Sequence, residues 1–344
     1  MSIEEERRID LQTRRLPRIA PGSFSPGLSG VQTLDLSTAD PEPAPFFALA
    51  GRKGAVFQKK KRDPDDSSAW GLGEPDSSLE FDLTLPVRHG VVLILEMRRT
   101  TVGEHADNPL TINVNGHEMR VDVDPHNLHF SRQSWYLPNY LLEKGKNQIS
   151  LSLAPDAQTE LRLKSAAVMR FDLQRQLQTK WCWAAVTTSL LNFFNPDNTP
   201  TQCQVVQQCL SLNHDFDPEA TDCCQQGSSK ACNLTYKLPD ALDEMELLFS
   251  RCNYPLSLDE IRGQIQAGVP VAVRIKWRGG GGHFVVITAV FDDPDGDEQT
   301  WLRIADPLDQ AASYITYRTL KNRYKGEGRW THSYVFQKER ERRR

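Results

Sequence analysis

From residue 79 to residue 171 apolar side chains recur at every second position in short runs, and past Phe171 that period disappears; this change constrains the fold most. The alternating runs cover 79–85, 90–97, 110–114, 119–123, 148–153 and 161–171. Their length and period are those of half-buried strands, so this part of the chain is predicted to be all-β. Asn115-Gly116 separates two of the runs, and such a pair suits a type I′ hairpin, which needs positive φ at both central residues. Strands of this kind bury their apolar faces against a second sheet, and a β-sandwich over residues 65–172 is the expected product.

The segment Ser134-Trp135-Tyr136-Leu137-Pro138, followed by Leu142-Glu143-Lys144-Gly145-Lys146-Asn147 and an alternating strand, resembles jelly-roll, galactose-binding-like modules. The resemblance implies either a carbohydrate or protein ligand or a docking or spacer role. Trp135 and Tyr136 are read as core residues rather than a ligand platform. His126 and His129 have a spacing that a metal accepts, but without a third ligand they are read as incidental, and no metal is expected.

Residues 1–64 are interrupted by Leu16-Pro17, Pro21-Gly22, Pro26-Gly27 and the prolines between Pro41 and Pro45, and read as a disordered or extended leader. The leader ends in the basic run Lys59 to Arg62 followed by Asp63-Pro64-Asp65-Asp66, a solvated charge run or a maturation cleavage site. Residues 339–344 form a charged tail. A net charge of −4 argues against polyanion binding, so no nucleic-acid partner is expected. No apolar run approaches the roughly 20 residues of a membrane helix, so no membrane insertion is expected either. Met1 to Asp10 lacks the apolar core of a signal peptide, which leaves export by a specialised machine or a cytoplasmic location as the expectation.

Residues 173–338 read as a second domain, α+β in type. Ser257 and Glu260 match a capping box, Ile261 and Ile265 recur one turn apart, and Gly268 with Pro270 ends the helix. A hairpin follows over 269–291 and a third strand over 301–305. All seven cysteines lie between Cys182 and Cys252. Six of them, Cys203, Cys209, Cys223, Cys224, Cys232 and Cys252, allow 15 full pairings. Disulfides are ranked first, free thiols second and zinc third, because paired Cys-x-x-Cys knuckles are missing.

Cys182 opens an apolar run that closes at Asn195-Pro196, which places it at the start of a buried helix. There the unsatisfied amides and the helix dipole favour a thiolate. A buried, inert cysteine is the competing reading. His283 follows Gly279 to Gly282 and starts a strand, where an imidazole can take and return a proton near neutral pH. Asp306 ends the strand Trp301-Leu302-Arg303-Ile304-Ala305 and can hold the second ring nitrogen; an Asp-Pro turn is the alternative. His332 is a rival base without an acidic companion.

The order of Gln, Cys at a helix start, His before a strand and Asp at a strand end resembles papain-like cysteine peptidases. With Trp181-Cys182-Trp183-Ala184-Ala185, Gly282-His283-Phe284-Val285-Val286-Ile287 and Ala305-Asp306-Pro307 it is similar to the bacterial branch that includes secreted effector proteases of plant pathogens. The resemblance covers about residues 173–337. It implies that Gln176, or else Gln178, donates to the oxyanion, that the substrate is a protein or peptide, and that no cofactor is needed. Papain has Cys-Gly-Ser-Cys-Trp at its nucleophile and Asn in third place, so the resemblance implies that Asp306→Asn keeps substantial activity. The cysteine-rich stretch from Cys203 to Cys232 lies outside the papain pattern. The expected function is a cysteine endopeptidase. An amidase or isopeptidase acting on cell-wall peptides or ubiquitin-like conjugates is the second reading, and a β-sandwich binding protein with an inactive triad is the third.

Overall fold

The computed structural model describes residues 30–58, 68–74, 77–102, 109–292, 299–309 and 312–336. The leader up to residue 29, the basic and acidic runs over 59–66 and the tail 339–344 lie outside the described residues. The protein is multidomain, with one unit spanning Val31–Arg170 and a second containing Phe171 and the residues after it.

The first unit is a sandwich of two sheets. Its strands are β1 (Gly30–Asp35), β2 (Phe47–Lys53), β3 (Val56–Gln58), β4 (Ala69–Leu72), β5 (Ser78–Leu85), β6 (Val91–Arg99), β7 (Leu110–Val114), β8 (His117–Val121), β9 (Ser131–Leu137), β10 (Gly145–Leu153) and β11 (Leu161–Arg170). One sheet has the order β3-β4-β11-β6-β9, with β1 also pairing β11, and the other the order β2-β5-β10-β7-β8. The period-two pattern explains the core: Leu79, Phe81, Leu83 and Leu85 of β5 and Ile149 and Leu151 of the neighbouring β10 share one buried cluster with Leu93, Leu95 and Met97 of β6 in the other sheet.

The expected leader ends sooner than residue 64. Residues 30–58 contain β1, β2 and β3, and Leu34, Leu36 and Phe47 belong to the sandwich core. The prolines between 41 and 45 sit in the connection between β1 and β2, where missing amide hydrogens cost no ladder bond.

The hairpin forms where Asn115-Gly116 predicts it, with φ of 52° and 89° at the two residues. The Asn115 side-chain amide also donates to the Leu141 carbonyl at 2.9 Å and to Asn147 Oδ1 at 2.8 Å. Asn147 in turn is buried and donates to the carbonyls of Glu143 and Gly145, which fixes the entry to β10. Trp135 packs on the sandwich core, and the Tyr136 ring lies over Gly90. Among the described residues no group of three His, Cys, Asp or Glu side chains is placed to hold a metal.

The second unit runs α1 (Cys182–Phe194), α2 (Gln202–Leu210), α3 (Leu238–Glu244), β12 (Phe249–Cys252), α4 (Leu258–Gln266), β13 (Val271–Lys276), β14 (Gly282–Asp292), β15 (Thr300–Ala305), β16 (Ser313–Thr316), α5 (Tyr317–Arg323) and β17 (Arg329–Phe336). Its antiparallel sheet has the order β12-β17-β13-β14-β15-β16. The α4 capping box pairs Ser257 with Glu260, and a second one pairs Thr201 with Gln204 at the start of α2. α1 is apolar nearly all round and accordingly buried, with Phe194 near its end 5.5 Å from the Phe336 ring.

Two disulfides are present, Cys203–Cys224 and Cys223–Cys232. Cys209 and Cys252 stay free together with Cys182, so the six clustered cysteines are not fully paired. Cys209 is sealed into the buried side of α2, where burial pushes its thiol up to about 12.

Candidate active site

Cys182 is the first residue of α1 and is half-buried. No side chain caps this helix among the described residues, which leaves the first-turn amide hydrogens of α1 facing the thiol side of the site. The preceding segment is held from the other side. The Trp181 indole donates to the Cys232 carbonyl at 2.9 Å, the Trp183 indole to the Leu234 carbonyl at 3.1 Å, and the Lys180 amide to Asn233 Oδ1 at 3.0 Å. The Cys223–Cys232 bridge thus anchors the strap that fixes the helix start.

His283 is the second residue of β14 and is 3% exposed. Its Nε2 lies 2.6 Å from Asp306 Oδ1, and the Cys182 thiol is near enough to act on the ring's proton affinity. With Nε2 committed to Asp306, Nδ1 is the nitrogen left for Cys182. The pairing is a consequence of topology: β14 and β15 are neighbours, and Ala305, the residue before Asp306, is in register with Val286. Burial pulls the imidazole down. Hydrogen bonds and charge from Asp306 and Cys182 outweigh it and raise the ring from an ordinary 6.5 to about 9. Burial likewise pushes the Asp306 carboxyl up, but His283, Lys325 and the Leu308 amide hold it well below the usual carboxylate range. The site therefore favours a charged ring beside an ionised Asp306.

Three residues at this site carry no signal in the sequence. The Tyr324 hydroxyl donates to Asp306 Oδ2 at 2.7 Å, and Lys325 Nζ lies 2.8 Å from the same oxygen. Trp277, just past β13, stacks on His283 with ring centroids 5.9 Å apart and on Tyr324 at 6.3 Å. The indole thus roofs the His283–Asp306 contact and keeps water from it. Tyr324 and Lys325 follow α5 directly, and Lys325 has a φ of 46° within a Tyr-Lys-Gly-Glu-Gly run that reads only as a turn.

Gln176 lies beside the same cluster, because its amide donates to the Pro307 carbonyl at 2.9 Å. Its Nε2 donates to the Gln178 carbonyl at 2.8 Å, and its Oε1 is buried without a partner. A side-chain amide has two hydrogens, so one remains for an incoming oxygen. The Gln178 side chain instead lies against Gly227 of the cysteine-rich stretch. His332 sits on β17, its Nδ1 2.9 Å from Thr331 Oγ1. Burial and then the charges of Arg251 and Arg274 hold it below its usual value, with no carboxylate partner among the described residues.

Residues 168–334 match the Peptidase_C39 like family. That match supports a cysteine peptidase in general, and it spans all the residues just described. No curated protein matches the chain. Among solved structures, a family 35 carbohydrate binding module from Clostridium thermocellum is 15% identical, with 34% of this chain and 89% of that chain covered and a TM-score of 0.28. CBM35 from Paenibacillus barcinonensis is 11% identical, covering 40% and 98%, with a TM-score of 0.29. The CBM36-1 domain of a xylanase from the hindgut metagenome of Trinervitermes trinervoides is 8% identical, covering 42% and 100%, at 0.28.

Proposed function

We propose that the protein is a cysteine endopeptidase that cleaves peptide bonds through a thioester on Cys182. The single observation behind this reading is the buried His283–Asp306 contact at 2.6 Å, with Cys182 at the start of α1 near enough to act on the same ring. His283 takes the proton of the Cys182 thiol, which leaves a thiolate. The thiolate attacks the substrate carbonyl carbon and the oxygen becomes an oxyanion, for which the Cys182 amide at the uncapped helix start and the free hydrogen of Gln176 Nε2 are the donors. His283 then gives its proton to the leaving amine as the C–N bond breaks. The neutral ring next takes a proton from water, whose oxygen attacks the thioester and returns the thiolate. Asp306 keeps Nε2 occupied and supports the ring's positive charge throughout. The same steps open an isopeptide or a cell-wall amide, so the reaction class does not choose the substrate.

N-terminal sequencing of fragments from a proteome treated with wild type and with Cys182→Ser tests the reading. New N-termini made only by the wild type are expected. Identical fragment sets from the two proteins would contradict it.

A further inference from the structure

The sheet of the second unit carries a basic face beside the proposed site. Arg274 on β13 is in register with Phe284 on β14 and with His332 on β17. Arg251 on β12 is in register with Tyr334, two residues along β17 from His332. Side chains two apart on a strand share a face, so Arg251, Arg274 and His332 lie together with Phe284, Tyr334 and Phe336. This is the face that α1 covers, because Phe336 meets Phe194 near the far end of that helix. Twelve residues back, roughly 18 Å along the axis, α1 starts at Cys182. Along β17 the face therefore changes from Phe336 and Tyr334 under the helix to His332 and Arg274 at the nucleophile's end.

Arg274 also approaches the backbone of Gly282, the residue before His283. A Cβ added to Gly282 would stand 3.1–3.2 Å from three guanidinium atoms of Arg274. The bare glycine is what lets the guanidinium lie across the strand at this point. Arg274 is half-buried, and its one hydrogen bond as a side-chain donor goes to Thr331 Oγ1 at 3.2 Å. Neither Arg274 nor Arg251 has a carboxylate within ion-pair distance among the described residues, although Arg262 and Lys325 of the same unit are paired with Asp292 and Asp309. Asp240 of α3 is the acid whose charge reaches Tyr334, and its own ion pair is with Lys237 at 3.7 Å. Two positive groups are thus held close together without a counter-charge. An arginine fork in that setting matches a carboxylate.

We propose that Arg274, supported by His332 and Arg251, selects an acidic side chain of the substrate within two residues of the scissile bond. The inference rests on the peptidase reading and adds the substrate class. Neighbouring strands are about 4.8 Å apart and an extended peptide rises about 3.3 Å per residue, so Arg274, one strand from His283, falls within the span of two substrate residues. Uncharged hydrogen-bonded side chains at that position would lose the charge-assisted part of the contact, an expected preference of about 10- to 100-fold in kcat/KM.

The test is a set of fluorogenic peptides identical except for Glu, Gln or Lys, placed in turn at each of the two positions on either side of the cleaved bond. They are assayed on the full chain and on Arg274→Gln and Arg274→Glu, with circular dichroism confirming the fold and an electrophilic thiol probe reporting Cys182. At one position the wild type is expected to prefer Glu over Gln by about 10- to 100-fold, the preference shrinking with added salt. Arg274→Gln should abolish it, and Arg274→Glu should turn it toward Lys. A wild type that labels at Cys182 and cuts all three peptides equally, or an Arg274→Gln variant that keeps the Glu preference, would overturn this inference and leave the peptidase reading standing. Absence of both labelling and cleavage in the wild type would overturn the peptidase reading and this inference with it.

Discussion

Asp306→Asn is the substitution for which the structure and the papain resemblance part company. Asp306 Oδ1 faces His283 Nε2 at 2.6 Å and accepts from the Leu308 amide at 2.9 Å; Oδ2 accepts from Tyr324 at 2.7 Å and Lys325 at 2.8 Å. Asparagine keeps the first oxygen and puts an NH2 in place of the second, against two donors. Tyr324 can rotate its hydroxyl to accept, but an ammonium cannot, so Lys325 must withdraw to Asp309, now 2.9 Å away. Removing one member of a fully buried ion pair costs about 3–5 kcal/mol, but Lys325 is 38% exposed and keeps Asp309, which brings this case down to about 1–2 kcal/mol. For a unit of this size that is a fall in melting temperature of roughly 2–8 °C.

The ring responds as well. The rise of His283 from 6.5 to about 9 corresponds to roughly 3 kcal/mol of preference for the charged form, shared between Asp306 and Cys182. In the wild type the imidazolium, and with it kcat/KM, is lost as pH rises through about 9. Without the Asp306 charge this alkaline limb moves down by about one pH unit or more. Differential scanning calorimetry and a pH–rate profile on one cleavable peptide measure both effects. Adding Lys325→Met to Asp306→Asn removes the stranded ammonium and should recover part of the melting temperature. An Asp306→Asn protein that melts with the wild type and keeps its alkaline limb near 9 would refute the reasoning.

The Asp306 carboxyl is depressed below its ordinary 3.8 in the folded protein, so the stability it contributes is present above that value and lost as pH falls below it toward the native one. The melting temperature of the wild type should therefore drop more steeply below pH 4 than that of Asp306→Ala; parallel curves would contradict this. The disulfide assignment predicts three alkylatable thiols in the unreduced, unfolded chain, Cys182, Cys209 and Cys252, with Cys209 resisting alkylation in the native state. Each bridge should contribute about 2.5–3.5 kcal/mol by restricting the unfolded chain, read as a lower melting temperature of reduced Cys182→Ala. Seven alkylatable thiols without reductant would contradict the bridges.

The parts of the fold that were legible in the sequence are those in which local chemistry and tertiary packing agree. Asn115-Gly116 can hardly do anything but turn, Ser257 and Glu260 cap whatever follows them, and the alternation in β5, β6 and β10 survives because both sheets bury one face. β1, β2 and β3 were hidden by their setting. They are short and lack a sustained alternation, and Pro41 to Pro45 between β1 and β2 looks like the rest of the leader, so the long-range contacts of Leu34, Leu36 and Phe47 reveal them. The same division holds at the site. Cys182, His283 and Asp306 stand at element ends, where a reactive residue type next to an apolar run stands out. Tyr324, Lys325 and Trp277 act on Asp306 and His283 only through tertiary packing. Arg274 reads as the polar position of an ordinary alternating strand until the register of β17 brings His332 beside it.

The central claim is that Cys182 is a nucleophile driven by His283. Intact-mass spectrometry after treatment with a peptidyl chloromethyl ketone tests it most directly, because covalent capture needs the nucleophile and the adjacent ring but not the right natural substrate. The wild type should gain one adduct mapping to Cys182, Cys182→Ala should gain none, and His283→Ala should react about 10²-fold or more slowly. An adduct on another cysteine, or His283→Ala reacting at the wild-type rate, would contradict the account.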